Sequence, residues 1–293
     1  MSRRTKQVQR SLREQIEDNK NIVTLPGVFD ALSARVAEHV GFDAIFQTGY
    51  ASAASLLGMP DFGFLNAGET VDNAHRIIRA VKVPVLVDVD TGYGNPLNVW
   101  RMVHDIEALG GGGIFLEDQV WPKRCGHMTG KNVISKHDYI QKLRAALEAR
   151  KSKDFIIVAR TDARAPLGLE EAIERGKIYR KAGADVIFVE APRSIEELKK
   201  IADEIDAPLL ANMIENGVTP NLSARQLSKI GFRMVVFPLS GLYAATFAIK
   251  EAFVELKRTG ITKEVSKKMI TFNEFNKFVD LHRYINLENR YAS

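Results

Sequence analysis

Short apolar runs alternate along the chain with longer amphipathic segments. The apolar runs are rich in Val, Ile, Leu and Phe and lack the strict alternation of half-exposed strands, which is typical of parallel strands covered on both faces. The pattern predicts eight strands: Ile22–Leu25, Ala44–Gln47, Val83–Val87, Gly113–Leu116, Phe155–Ala159, Val186–Val189, Leu209–Asn212 and Met234–Phe237. It predicts eight helices: Ala31–His39, Glu69–Val81, Leu97–Leu109, Lys136–Arg150, Leu169–Ala182, Ile195–Asp203, Ala224–Ile230 and Ala244–Arg258.

Residues suited to helix ends mark several of these boundaries. Pro96 fits the first turn of its helix, and Ser194 fits an N-cap ahead of Glu196. Glycines stand where four helices should end: Gly41, Gly110, Gly183 and Gly231. Strict alternation of eight strands and eight helices predicts an α/β fold, a (β/α)8 TIM-type barrel. An open doubly wound sheet is the alternative.

The chain shows no low-complexity linker, so we expect one barrel domain over residues 1–293. An additional N-terminal helix is predicted over residues 1–20 and a C-terminal helical extension over residues 260–293. The run Phe278–Ile285 carries more apolar residues than a free tail needs. Docking of this extension on a neighbouring subunit would explain them.

Composition and charge restrict the class of protein. The chain is 45% hydrophobic and 26% charged, as is ordinary for a soluble globular protein. A net charge of +5 is mild for this length, so we expect no nucleic-acid partner. The basic start at Arg3-Arg4-Thr5-Lys6 leads into polar residues, which disfavours a signal peptide. No run of about 18 apolar residues is present, so we expect a cytoplasmic protein with no membrane span.

The single cysteine lies within Lys123-Arg124-Cys125-Gly126-His127. One unpaired cysteine argues against a disulfide scaffold. The neighbouring cations and imidazole favour the thiolate form and proton exchange. A small buried apolar residue is the alternative interpretation. Its neighbours would then be apolar, whereas here they are charged or polar, which favours a chemical role for Cys125.

Acidic residues follow the third and fourth predicted strands, at the barrel end where active sites form. In an extended run, Asp88 and Asp90 point to the same side, and they repel unless a cation or a proton lies between them. Glu117-Asp118 follows the next strand. Converging carboxylates suit a hard cation such as Mg²⁺. The alternative is that each acid caps a helix or pairs with a lysine.

Other polar residues stand at the ends of further strands. Arg160, at the end of the fifth strand, can bind a carboxylate or phosphate bidentately, or can belong to a buried ion pair. Glu190 and Asn212 end the sixth and seventh strands and face the same mouth. Backbone N–H groups of Thr48-Gly49-Tyr50 could hold an anion, because glycine allows a ligand to approach closely.

These motifs together resemble the isocitrate lyase and phosphoenolpyruvate mutase superfamily. The resemblance is carried by Asp88-Val89-Asp90-Thr91-Gly92-Tyr93-Gly94, Glu117-Asp118-Gln119 and Pro122-Lys123-Arg124-Cys125-Gly126-His127. Met59-Pro60-Asp61, Ala159-Arg160-Thr161-Asp162 and Pro238-Leu239-Ser240 fit as well. The length is similar to the short lyase branch, typified by 2-methylisocitrate and 2,3-dimethylmalate lyases. The resemblance implies a (β/α)8 barrel whose C-terminal helix is swapped between subunits of a homotetramer.

The resemblance also implies residue roles. It implies Mg²⁺, with Mn²⁺ as a substitute, in direct contact with Asp88 and held through waters by Asp61, Asp90 and Glu117. Catalytic roles fall to Lys123, Cys125, His127 and Arg160, with Cys125 as the general acid. Substrate binding falls to Thr48, Gly49, Tyr50, Arg160, Glu190, Asn212 and Ser240.

The implied activity is cleavage of a 2-hydroxy carboxylate to a 2-oxo acid such as pyruvate and a second carboxylate. Two departures disfavour a tricarboxylate substrate. Methylisocitrate lyases carry Asn-Ile-Thr-Glu-Phe-Gly where this chain has Asn212–Gly217, and an arginine where it has Gly241-Leu242-Tyr243. The alternatives are a carboxyphosphoenolpyruvate-type phosphonomutase, an oxaloacetate-cleaving enzyme and, from another class, a non-catalytic assembly barrel.

Overall fold

The computed structural model describes residues 10–18, 20–126 and 130–292, and eight parallel strands close into a barrel. The strands are β1 Val23–Val28, β2 Ile45–Gln47, β3 Val85–Asp88, β4 Gly113–Glu117, β5 Ile156–Thr161, β6 Val186–Val189, β7 Leu209–Asn212 and β8 Met234–Phe237. Each strand pairs with its neighbours in sequence, and β8 closes on β1 with Met234 opposite Val23. The predicted barrel is confirmed, and the open sheet is wrong.

Helices alternate with the strands along the chain, one before β1 and the others after it. They are α1 Leu12–Glu17, α2 Ala31–Val40, α3 Gly49–Leu57, α4 Ala67–Ala80, α5 Pro96–Ala108, α6 Lys136–Ala149, α7 Leu169–Lys181, α8 Ile195–Glu204, α9 Ala224–Ile230 and α10 Ser240–Thr259. Helix α3 was not predicted, because its small residues lack an apolar stripe. Of the N-terminal helix expected over 1–20, the described part is α1, while residues 1–9 and 19 lie outside the described residues.

The predicted helix ends are present where they matter for the site. Helix α5 begins with Pro96 after the cap Asn95, whose side chain accepts from the N–H groups of Leu97 and Asn98. Ser194 caps α8 by accepting from the N–H of Glu197 at 3.2 Å. These caps fix where each helix starts, and so they fix the length of the loops between strand ends and helices.

Two apolar layers hold the barrel together. Inside it, side chains from all eight strands form one cluster, in which Phe115 packs against Phe46 and Phe188 with ring centroids 5.3 Å apart in each pair. Leu12 and Ile16 of α1 belong to the same cluster and close the lower end of the barrel. A larger cluster fills the space between the strands and the surrounding helices. The polar site therefore lies at the opposite end, where the strands end.

Residues from Tyr243 onward form a second compact unit. It contains most of α10, a short 3-10 helix Val265–Lys268, α11 Phe272–Phe278 and α12 Leu281–Tyr291. The predicted C-terminal helices are thus present. None of the described residues in these three α-helices from Tyr243 on is buried, and Phe272 is 81% exposed. In the described part of the chain, every helix is too short or too polar to cross a bilayer.

Candidate active site

The strand ends surround an open cavity of about 470 Å³, a volume that includes the solvent at its entrance. Most of the predicted site residues line it: Thr48, Tyr50, Asp61, Asp88, Lys123, Cys125, Arg160, Glu190 and Asn212. Gly49 and Asp90 line an adjoining cavity of about 280 Å³, which shares Asp61 and Asp88 with the first. His127 lies outside the described residues. The barrel therefore brings together groups that are far apart in sequence.

Asp88 and Asp90 meet for a different reason from the one predicted. Strand β3 ends at Asp88, and Asp90 has a left-handed backbone with φ of 48°. The run is therefore turned rather than extended, and the N–H of Asp90 donates to Asp88 Oδ1 at 3.1 Å. The other oxygen, Oδ2, accepts from the N–H of Gly49 at 3.0 Å.

The N–H groups of the Thr48-Gly49-Tyr50 segment are less free than predicted. The N–H of Thr48 donates to the carbonyl of Val28 at 3.2 Å, and that of Gly49 is bonded to Asp88. Thr48 is the N-cap of α3, yet its side chain makes no cap hydrogen bond. The hydroxyl of Thr48 is therefore a better candidate for contacting a ligand than the backbone N–H groups are.

Negative charge is in excess at this end of the barrel. Burial, and after it the neighbouring charge of Asp90, raise the pKa of Asp88 to about 6 against the opposing charge of Lys123. Burial likewise raises the pKa of Asp90, and raises that of Glu117 well above its usual range against the opposing charge of Arg160. Glu117 Oε1 is buried with no hydrogen-bond partner. A cation bound among these carboxylates would relieve both conditions.

The ammonium of Lys123 already lies between two of the predicted metal ligands. Its Nζ is 2.6 Å from Asp61 Oδ1 and 2.6 Å from Asp90 Oδ1. Although burial alone would lower it, Asp90 and Asp61 hold the pKa of Lys123 well above its usual range. Within the described ranges, no three acidic, His or Cys side chains converge as a preformed metal site. The donor types and the charge excess still fit a hard divalent cation.

Arg160 is bound on several sides by carboxylates. Its Nε and Nη2 donate to Asp162 at 2.7 and 3.0 Å, and its Nη2 lies 3.0 Å from Glu190. Although burial alone would lower it, Asp162 and Glu190 keep its pKa well above its usual range. The buried ion pair, given as the alternative for this arginine, is therefore present. Asp162 was missed as a partner, although it follows Arg160 by two residues, directly after the end of β5.

Asp118 turns away from the cavity and serves a structural role. It accepts hydrogen bonds from Tyr179 Oη at 2.8 Å, Arg175 Nη1 at 2.9 Å and the N–H of Asp162 at 2.9 Å. Asp118 is therefore in an ion pair, as the alternative to a metal ligand supposed, but its partner is Arg175 rather than a lysine. Because the last of these bonds joins the end of β4 to the residue after β5, it also fixes the strand end that carries Arg160.

Cys125 borders the cavity and is partly exposed. Its N–H donates to the carbonyl of Asp61 at 3.3 Å. The side-chain amide of Gln119 holds the preceding residue, Arg124, by donating to its carbonyl at 2.8 Å and accepting from its N–H at 3.1 Å. The alternative of a buried apolar cysteine is therefore wrong, because the thiol borders a polar cavity rather than the core.

One wall of the cavity is apolar. It consists of Phe46, Ile214, Val236, Pro238 and Leu239. Ser240, predicted to bind substrate, is absent from the lining and donates its hydroxyl to Glu215 instead. This side of the site therefore suits alkyl groups better than a further carboxylate, since an unpaired buried charge is costly.

Comparisons with known proteins agree with this geometry. The family model described as phosphoenolpyruvate phosphomutase matches residues 12–257. The chain is 44% identical over 274 residues to the 2,3-dimethylmalate lyase of Eubacterium barkeri, covering 94% of this chain and 95% of that protein. It is 46% identical over 293 residues to the chloroplastic carboxyvinyl-carboxyphosphonate phosphorylmutase of Arabidopsis thaliana, covering 99% and 86%. It is 43% identical over 273 residues to a 2-methylisocitrate lyase of Aeropyrum pernix, covering 93% and 87%.

Solved structures give the same barrel. Oxaloacetate acetylhydrolase in complex with 3,3-difluorooxalacetate superposes with a TM-score of 0.91 at 36% identity, covering 97% of this chain and 96% of that one. Phosphonopyruvate hydrolase in complex with oxalate and Mg²⁺ superposes with a TM-score of 0.86 at 28% identity, covering 96% and 98%. The reactions named for these relatives differ, so the choice among them depends on the residues of this site.

Proposed function

The chain belongs to the phosphoenolpyruvate mutase and isocitrate lyase superfamily, and we propose that it is a lyase that cleaves a carbon–carbon bond of a 2-hydroxy dicarboxylate. The products would be a 2-oxo acid such as pyruvate and a second carboxylate. The observation that carries the proposal is the placement of Cys125 and Arg160 on one cavity with the acidic cluster. Cys125 would supply a proton donor, Arg160 a positive charge that binds a carboxylate, and the acidic residues the ligands for a metal.

The acidic residues suit a divalent cation, which we propose to be Mg²⁺, with Mn²⁺ as a substitute. Asp88 would contact it most directly, with Asp61, Asp90 and Glu117 around it. When bound, the metal supplies a Lewis acid that polarises the hydroxyl and carboxylate of the substrate. The excess of buried carboxylates supports this proposal, as does the Mg²⁺ named for phosphonopyruvate hydrolase.

Arg160 of β5 and the residues directly after β2 would orient the 2-oxo-acid half of the substrate. Asp162 and Glu190 hold the guanidinium of Arg160 in one position, so that its charge faces the cavity without reorganisation during the reaction. The hydroxyl of Thr48 would donate to the same carboxylate, with the neighbouring Gly49 and Tyr50 shaping its place. Asn212, whose Nδ2 lies 3.4 Å from Glu190, would contact the substrate from β7.

Cys125 would supply the proton that the reaction needs. When the C2–C3 bond breaks, its electron pair moves to C3 and C2 becomes the carbonyl carbon of the 2-oxo acid. The thiol of Cys125 then donates its proton to C3, which completes the second carboxylate and leaves a thiolate. The hydroxyl proton lost from the substrate balances the charge when it returns to this thiolate.

Lys123 would assist by holding the acidic residues and the cysteine segment, residues 123–126, in one arrangement. Its contacts with Asp61 and Asp90 neutralise part of their charge, and they attach the segment that carries Cys125 to the cavity wall. We retain His127 as a proposed catalytic residue from the motif alone.

The apolar wall favours a substituted malate over a tricarboxylate. Phe46, Ile214 and Leu239 would contact alkyl groups on C3, whereas a third carboxylate would need a cation there. We expect a higher kcat/KM for 2,3-dimethylmalate than for 2-methylisocitrate. The test is to measure 2-oxo-acid release, with Mg²⁺ present, over a panel of 2-hydroxy di- and tricarboxylates. A kcat/KM that clearly favours the tricarboxylate would refute this specificity.

Two other reactions are carried as alternatives. Oxaloacetate cleavage is supported by the structural match to oxaloacetate acetylhydrolase, and it predicts acetate and oxalate when oxaloacetate is tested beside the panel. Phosphonomutase chemistry predicts turnover that survives replacement of Cys125, because a proton donor at that position has no part in it. A non-catalytic barrel predicts no turnover of any panel member. Lyase turnover that depends on Cys125 would exclude the last two.

The second unit supports a proposed assembly. Its exposed apolar residues include Phe247, Phe253 and Phe272, which would be covered in a homotetramer by docking on another copy of the chain. Sedimentation equilibrium would test this assembly. We further propose that the enzyme acts in the cytoplasm on a small carboxylate, with no nucleic-acid or membrane partner. A lone cysteine within the site supports a reducing compartment.

A further inference from the structure

The segment that carries Cys125 is held by residues outside the motif itself. Lys123 contacts Asp61, and the N–H of Cys125 donates to the carbonyl of the same residue. Gln119 brackets the backbone of Arg124. One further contact acts on Gly126, directly after the cysteine, and its donor is a lysine that the proposed reaction does not otherwise use.

That donor is Lys131. Its Nζ donates to the carbonyl of Gly126 and to Asp162 Oδ1, the latter at 2.9 Å. The ion pair is deeply buried, with side-chain exposures of 1% for Lys131 and 0% for Asp162. Burying an ammonium is costly unless it is paired and hydrogen-bonded, so these two acceptors define where Lys131 can be.

The same carboxylate of Asp162 also holds Arg160. Asp162 Oδ1 accepts from Lys131 Nζ and from Arg160 Nη2, the latter at 3.0 Å. Gly126 itself packs directly against Arg160 and Glu190, because a Cβ at this position would overlap Arg160 Nη2 and the side chain of Glu190. The cysteine segment and the arginine are thus tied to one buried carboxylate.

We propose that Lys131 is a positioning residue that sets the distance between Cys125 and the substrate held at Arg160. It acts through the carbonyl of Gly126 and through Asp162, without touching the reacting atoms. Its catalytic consequence rests on the proposed role of Cys125 as proton donor, whereas its effect on the cysteine segment is independent of the reaction.

Alkylation of Cys125 by iodoacetamide tests this without any substrate. Cys125 is the single cysteine, so intact mass reports its modification directly. At alkaline pH the thiol is fully ionised, and the rate then measures access rather than ionisation. We expect Lys131→Met to raise this limiting rate by about fivefold or more, because loss of the contact with Gly126 increases local opening. Lys131→Arg, which keeps the charge, should lie between this variant and the wild type.

The matched control is Lys200→Met, which removes an ammonium that pairs with Glu170 at the surface. It should alkylate at the wild-type rate. With the most active substrate of the panel, Lys131→Met should lower kcat about tenfold or more with a smaller change in KM, since small misplacements of a reacting group lower the rate strongly.

Three results would overturn the proposal. They are a wild-type limiting rate in Lys131→Met, an equal acceleration in Lys200→Met, and faster alkylation with unchanged kcat. If Lys131→Met does not fold, Lys131→Gln gives the same comparison. If the wild type cleaves no panel member, the alkylation rates still decide whether Lys131 positions the segment, so failure of the proposed function is distinguishable.

Discussion

Replacing Gly126 by alanine tests how closely the cysteine segment must approach Arg160. A Cβ at Gly126 would overlap Arg160 Nη2 and both Cγ and Cδ of Glu190. Arg160 cannot yield easily, because Asp162 holds its Nε and Nη2 at 2.7 and 3.0 Å. Moving Glu190 would break its 3.0 Å ion pair with Arg160, which costs about 3–5 kcal/mol for a buried pair.

Outward movement of Cys125 and Gly126 costs less. It weakens the bond from the N–H of Cys125 to Asp61 and the contact of Gly126 with Lys131, a loss of about 1–3 kcal/mol. We therefore expect the segment to move rather than Glu190. Because a displacement near 1 Å of a reacting group lowers the rate by about 10²-fold, we expect Gly126→Ala to lower kcat/KM by about that factor.

The assay is kcat/KM for the preferred substrate, with thermal unfolding measured in parallel. Gly68→Ala in the first turn of α4 is the matched control, because its Cβ would meet one atom, Asn66 Oδ1, at 3.2 Å. Alanine is also favoured over glycine in a helix, so this control should keep full activity. If Gly126→Ala keeps kcat/KM within about threefold of the wild type, a 1 Å requirement is refuted and the inferred packing against Arg160 is wrong.

The remaining predictions concern the metal, its pH dependence and the proton donor. Exhaustive chelation should abolish turnover and Mg²⁺ or Mn²⁺ should restore it, while Asp88→Ala should be inactive yet folded, because removing one clustered acid relieves repulsion; full activity after chelation would exclude the metal. Because burial raises the pKa of Asp88 to about 6, the metal-free protein should lose stability as the pH rises from about 4 to 6 and this carboxyl ionises. Mg²⁺ should therefore raise the melting temperature more above pH 6 than below it, and this pH dependence of the Mg²⁺ effect should be absent in Asp88→Asn. Cys125→Ser should lower kcat by roughly 10²–10⁴-fold with little change in KM, and iodoacetamide inactivation should slow when substrate and Mg²⁺ are present; near-normal turnover of Cys125→Ser would make the cysteine structural.

The barrel could be predicted because its strands are buried on both faces, so that each leaves a short apolar run. The limits of β1 could not be predicted in the same way. The pair Pro26-Gly27 suggests a turn, but the strand continues to Val28. The reason is tertiary, since a Cβ at Gly27 would overlap the backbone of Pro238 after β8. A local sequence pattern carries no information about such a close approach between segments that are far apart in the sequence.

The location of the site was also predictable, because parallel strands bring their polar ends to one mouth. The partners of those residues were less so. The pairing of Arg160 with Asp162 is local, since the two residues are two apart at the end of β5, and it could have been found. The contacts of Lys123 with Asp90 and of Lys131 with Asp162 join the loop after β4 to the ends of other strands, and no spacing or motif indicates them.

The plug formed by Leu12 and Ile16 has a consequence for the order of events during turnover. Because these residues fill the barrel at the end opposite the site, we expect both products of the proposed reaction to leave by the open end through which the substrate enters. In the proposed arrangement, the 2-oxo acid would be held between Asp88 and Arg160 at the strand ends, beneath the product that receives its proton from Cys125. This arrangement predicts sequential release, with the 2-oxo acid last. In product-inhibition kinetics, the 2-oxo acid should compete with substrate, and the second carboxylate should inhibit noncompetitively.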